Sequence, residues 1–261
     1  MSLVRRPAVA DRFYPGNAAA LSRMLDDFMA DAKPARQSPK ALIVPHAGYL
    51  YSGSIAASAY ATLADARDSI TKVVLLGPSH RVPLRGLATS HADAFETPLG
   101  RVMLDRAAIE VALTHPAVRT MEEAHAFEHS LEVQLPFLQK GLSDFSLVPF
   151  VVGDANPEDV AAVLDLLWGG EETLIVTSSD LSHYLSYDRA KELDTATSRA
   201  IETLRPQDIG EQQACGRIPV KGLLEAARRH GLRAETLDLR NSGETAGPRD
   251  QVVGYGAYGF Y

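Results

Sequence analysis

Ala41-Leu42-Ile43-Val44-Pro45-His46 and Val73-Val74-Leu75-Leu76-Gly77-Pro78-Ser79-His80 are two aliphatic runs that stop on Pro or Gly and then deliver a histidine. An unbroken Val/Ile/Leu run of this length, closed by a turn residue, reads as a strand buried on both faces in an α/β sheet. A third run, Thr173-Leu174-Ile175-Val176-Thr177, leads into Ser178-Ser179-Asp180-Leu181-Ser182-His183, so a carboxylate and another imidazole follow it in the same way. Sheets of this class bind ligands beyond the carboxyl ends of their strands. If the three strands are neighbours, about 4.8 Å apart, their loops reach one shared ion.

Outward from these runs, helices are expected over Ala18–Ala30 (capped by Asn17), Ser54–Thr62, Asp105–Leu113, Leu131–Leu142, Pro157–Leu167, Tyr187–Leu204 and Val220–His230. A further strand is expected over Phe145–Val152, and the closing Gly254–Tyr261, with glycine or alanine alternating with aromatics, reads as a terminal strand with one bulky face. The stretch Lys33–Lys40 is polar and reads as a connection. Gly86–Thr89 and Thr97–Arg101 look like short strands joined by a turn, which makes the sheet mixed. Alternating strands and helices mean α/β architecture. With no Ser/Gly linker and no repeat, one compact domain over 1–261 is the simplest account.

The bulk numbers remove several function classes. The 261 residues are 46% hydrophobic and 23% charged, the profile of a globular protein. A net charge of −7 argues against nucleic acid, whose backbone needs clustered Lys and Arg. No stretch approaches the roughly 20 apolar residues of a membrane span, and Met1–Pro7 lead into no hydrophobic signal region, so a cytoplasmic location is expected. A single cysteine, Cys215, excludes an intramolecular disulfide.

Each candidate residue has an ordinary reading beside the chemical one. A histidine after a strand is commonly a hydrogen-bonded structural residue; here the repetition favours a site. Asp180 suits either a helix cap or acid–base work. Cys215 is either a small buried hydrophobe or, before a helix starting near Val220 and beside Arg217, a favoured thiolate. His125-Ala126-Phe127-Glu128-His129 matches H-x-x-E-H, which in zinc proteases needs both histidines on one helix through Ala124–Ser130. Otherwise Glu128 and His129 simply head the next helix, with His129 still able to face the cleft. Tyr49 and Tyr51 either line a pocket or close the core; His91, His115 and His230 lack a partner pattern.

Taken together, Arg5-Arg6-Pro7-Ala8-Val9-Ala10, Phe13-Tyr14-Pro15, Pro45–Tyr49 with Tyr51-Ser52-Gly53, Gly77–His80, Glu128–Glu132, Ser178–His183 and Cys215-Gly216-Arg217 resemble the Memo family. Its bacterial and archaeal members are labelled AmmeMemoRadiSam system protein B, and its fold is similar to class III extradiol dioxygenases. The resemblance implies a three-layer α/β/α sandwich with a mixed sheet. It places His46, His80 and Cys215 on the family's metal-binding positions and Asp180 and His183 on the adjacent acid–base positions, with His129 and Tyr51 left as substrate contacts. The related dioxygenases use two His and a carboxylate for Fe(II); a cysteine in third place is softer, so iron is expected first, with copper or zinc also admitted. The implied function is a metal-dependent, dioxygenase-like redox protein, with a non-catalytic metal- or peptide-binding protein as the other reading and the zinc protease as a remote third. The implied partners are a small-molecule or peptide ligand in the metal pocket and, in a bacterial setting, a radical-SAM protein and other members of its system.

Overall fold

The computed structural model describes residues 3–32 and 37–261. Residues 33–36 of the polar connection, and Met1 and Ser2, lie outside the described residues. In chain order the elements are β1 (Val4–Arg5), α1 (Ala18–Asp31), β2 (Ala41–Val44), α2 (Tyr49–Tyr60), β3 (Lys72–Pro78), β4 (Leu87–Thr89), β5 (Ala94–Thr97), β6 (Gly100–Met103), α3 (Arg106–Ala112) and β7 (Val118–Thr120). They continue with α4 (Glu122–Ala126), α5 (Leu135–Gly141), β8 (Ser146–Val152), α6 (Pro157–Leu166), β9 (Thr173–Ser178), β10 (His183–Leu185), α7 (Tyr187–Glu202), α8 (Arg217–Arg229), β11 (Ala234–Asn241) and β12 (Val252–Phe260).

Strands β2, β9, β3 and β8 lie side by side and parallel, and every residue of β2 and β9 is buried. This is why they read as continuous aliphatic runs: helices cover both faces and leave no polar register. Helices α1, α2 and α5 pack together on one side, and α3, α6 and α8 on the other. Antiparallel strands extend the sheet at both ends, β12 beside β2 and β4 beside β8, so the sheet is mixed as expected. Asn17 caps α1 by accepting the Ala20 amide at 3.0 Å.

Several boundaries differ from the sequence reading. Helix α2 begins at Tyr49 and runs through Gly53, because a Cβ at residue 53 would lie 2.4 Å from the Phe28 ring of α1; the glycine permits close helix packing and does not break the helix. Helix α8 begins at Arg217, three residues early, and the segment expected as a helix from Leu131 starts as a 3₁₀ turn before α5. The two short strands thought to be joined by a turn belong to different sheets: β4 joins the main sheet, whereas β5 and β6 form a hairpin about Pro98-Leu99 in a small sheet with β1. Strand β11 was not legible, because its polar residues bond sideways to helices: Thr236 to Glu202 of α7 and Asp238 to Ser58 of α2.

Candidate metal centre

The order β2-β9-β3 makes the three aliphatic runs neighbours, with β9 in the middle. Val44 pairs with Ser178 and Leu76 with Thr177, so the strands end nearly level and their loops rise from one edge. There His46, His80 and Cys215 each offer a donor atom, all within 4.8 Å of one another. The His46 Nε2 lies 3.2 Å from the Cys215 Sγ. A tetrahedral ion bound at about 2.0 Å to nitrogen and about 2.3 Å to sulfur separates its ligand atoms by roughly 3.5 Å, so these three side chains fit one ion.

Hydrogen bonding fixes which nitrogen each histidine presents. The Ser178 hydroxyl gives its one proton to the Ser130 carbonyl at 2.6 Å, and its oxygen accepts from the Gln134 side-chain amide at 2.8 Å. The remaining contact, His46 Nδ1 at 2.9 Å, is therefore made by an N–H, which leaves Nε2 with its lone pair toward Cys215. His80 Nδ1 lies 2.9 Å from Glu128 Oε1, a carboxylate that only accepts. His80 thereby also keeps a free Nε2. A carboxylate behind a metal-ligating histidine fixes the ring and raises its basicity.

Burial keeps His46 and Cys215 neutral. It pushes His46 well below the usual imidazole range, helped by His80, His129 and His183 nearby. It raises the Cys215 thiol to about 12, and the Asp180 charge acts in the same direction. The expectation that a helix terminus or Arg217 would favour the thiolate is thus overturned: desolvation outweighs both, and Arg217 turns to Glu211 at 3.4 Å. In this state the thiol faces two acceptors for its proton, His46 Nε2 at 3.2 Å and the Asp180 carbonyl at 3.6 Å.

Asp180 is buried, and its carboxylate accepts the His46 amide at 2.7 Å, so it shapes the loop that carries His46. Burial raises its pKa to about 6. It does not orient His183, whose Nδ1 donates instead to the Leu181 carbonyl at 2.8 Å. Tyr51 is 39% exposed near the start of α2, close to Tyr255, and among the described residues no contact ties it to the three donors. Tyr49 closes the core, donating to the Val133 carbonyl.

His129 stacks on His80, ring centroids 4.6 Å apart, and lies edge-on to His46 at 5.4 Å. His80, Glu128 and His129 form a second group of metal-ligand type. Glu128 Oε1, however, already accepts His80 Nδ1, the His129 amide and the Ser130 amide, while Oε2 accepts the His80 amide at 2.6 Å. A carboxylate so fully donated to serves the His80 loop. The protease pattern fails for a related reason: α4 ends at Ala126, and buried His125 donates Nε2–H to the Ala88 carbonyl, away from His129. Behind Glu128 stands Arg5, which donates to the carbonyls of His125 and Glu128 and pairs with buried Glu132 at 2.7 Å. Glu132 also accepts the amides of Ala8 and Val9 and the Tyr14 hydroxyl. Ser178 and this Arg5–Glu132 support had no signal of their own in the chain beyond the quoted family pieces, and Glu128 stood out only through the H-x-x-E-H match or as the head of a helix, neither of which is its role here.

The Memo-like protein family model matches residues 5–258, starting at that same Arg5. The chain belongs to the Memo family. A MEMO1 family protein of Aquifex aeolicus is 37% identical, with 97% of each chain covered, and one of Methanosarcina barkeri is 36% identical over 97% of this chain and 98% of its own. The crystal structure of an uncharacterized Escherichia coli K12 protein superposes with a TM-score of 0.51 at 14% identity, covering 82% of this chain and 98% of that one, which shows a shared fold. In this Memo-family chain, no helix among the described residues is long and apolar enough to cross a membrane.

Proposed function

We propose that this Memo-family protein is a metal-dependent redox protein that holds iron, or failing that copper, through His46 Nε2, His80 Nε2 and Cys215 Sγ. The observation that carries the reading is that Ser178 and Glu128 each take up an Nδ1, while His46 Nε2 lies 3.2 Å from the Cys215 sulfur and His80 offers a ring nitrogen within 4.8 Å of both. A redox-active ion in such a set supplies one-electron chemistry and an open position for a small molecule. The protein's own part is to hold the ligands and move a proton. His183, with Nδ1–H held by Leu181, offers Nε2 as the base or acid beside that position, and Asp180 keeps the His46 loop in place. His129 and Tyr51 are proposed to touch the bound small-molecule or peptide ligand.

The test is elemental analysis of untagged, anaerobically purified protein. Near-stoichiometric iron or copper, lost in both Cys215→Ser and His80→Ala, is the expected result; no metal in any sample, even after reconstitution with Fe(II) or Cu(I), overturns the reading. Metal-loaded protein that neither consumes O₂ nor acts on catechols would assign the pocket to binding without turnover.

A further inference from the structure

The loop that delivers His183 is gripped by groups outside the donor set. The Leu181 amide donates to the Gly254 carbonyl at 2.8 Å, the Gly254 amide donates to the Ser182 carbonyl at 2.8 Å, and the Ser182 amide donates to Asp194 Oδ1 at 3.0 Å. Asp194 comes from α7 and is 3% exposed. It reaches this loop because residue 254 has no side chain: a Cβ there would lie 2.0 Å from Asp194 Oδ2.

The backbone just beyond is strained. Tyr184 has φ of 57°, a left-handed conformation that is strained for a residue with a side chain. It is also the extra residue of a bulge, since His183 pairs with Val253 and Leu185 with Val252. Bulges beside sites re-aim a side chain, and strain of this kind persists only where the surroundings over-determine it. The site residue beside this bulge is His183.

We infer that Asp194 and Gly254 are positioning residues for His183: the buried carboxylate anchors the Ser182 amide, which fixes the Leu181 carbonyl and so holds His183 as the Nδ1–H tautomer with a free Nε2. The importance of that tautomer rests on the role given to His183 above; the clamp itself does not, because its readout is the histidine ring.

Nitrogen-15 imidazole spectra of the full chain, metal-free and zinc-loaded, decide it, with the His183 signals assigned by their loss in His183→Gln. Wild type is expected to show His183 as a single Nδ1–H tautomer. Asp194→Ala should give a mixture of tautomers and a shifted titration midpoint, while Asp194→Asn, which keeps an oxygen for the Ser182 amide, should restore the wild-type signature. Gly254→Ala should reproduce Asp194→Ala by pushing the carboxylate away, and it decides the question if Asp194→Ala does not fold. An unchanged His183 signature in folded Asp194→Ala or Gly254→Ala, whatever the loss in Tm, would make Asp194 purely structural and overturn the inference. Wild type that takes up no metal even after reconstitution with Fe(II) or Cu(I), yet shows the expected signature, would remove the redox reading and leave the clamp standing; metal uptake with a mixture of His183 tautomers would do the opposite.

Discussion

At the scale of single residues, the centre is defined by where three protons sit. Ser178 and Glu128 each hold an Nδ1–H, and Cys215 holds the proton that a cation must displace. Ser178→Ala and Glu128→Gln should each weaken metal binding about 10- to 100-fold, the usual effect of losing a group that orients a ligand. Competition with a chelator measures this, and affinities equal to wild type would show that tautomer control is not needed. Because the thiol is pushed up to about 12 and His46 is already neutral, uptake should release about one proton per ion. Affinity then rises about tenfold per pH unit near neutrality, and proton release in weakly buffered solution is the direct readout; none released would remove Cys215 from the ligand set. The histidines and the cysteine stood out in the sequence because each follows a turn residue or lies in a short polar patch. Their tautomers did not, since these depend on Glu128, Ser130 and Gln134 of one segment meeting Ser178 at the end of β9 and the two histidine loops.

Between elements, two buried carboxylates do opposite things. Glu132 is fully satisfied by Arg5, Tyr14 and two amides, tying the N-terminal segment to the loop that carries Glu128 and His129. Removing one partner strands a buried charge, so Arg5→Met should lose about 3–5 kcal/mol in urea unfolding. A loss under about 1 kcal/mol would mean that water reaches the pair. No cation pairs with Asp194 among the described residues, and burial raises its pKa to about 6 against the Ser182 amide, which lowers it. Since the folded state binds this proton more tightly than the unfolded chain, stability falls as pH rises from about 4 to about 6 and is level above. The span corresponds to roughly 3 kcal/mol. Comparing wild type with Asp194→Asn across that window should show the difference shrink to near zero at low pH; parallel curves would deny Asp194 a perturbed titration. The central strands were readable because full burial leaves an aliphatic run. β11 was hidden, and the start of α2 misplaced, because helix partners and not local pattern decide both.

For the whole molecule, the donors come from the ends of β2 and β3 and from the turn before α8, so a bound ion ties together parts of the chain that the unfolded state leaves apart. Ion held at a hundred times its Kd should stabilise the fold by about 2.7 kcal/mol, and chelation should lower Tm in wild type but not in Cys215→Ser. Equal Tm values with and without chelator would mean that no ion bridges these segments. The order and composition of the chain determined the α/β class, the mixed sheet, the buried central strands and the set of candidate ligands, since burial and turn chemistry are written locally in hydrophobic runs and Pro or Gly stops. Only the tertiary structure decided that β9 lies between β2 and β3, that His125 leaves the site while Glu128 serves His80, that the Cys215 thiol is held neutral, and that Asp194 reaches the His183 loop. Each of these depends on which distant segments desolvate or hydrogen-bond one another, and no local stretch of sequence carries that information.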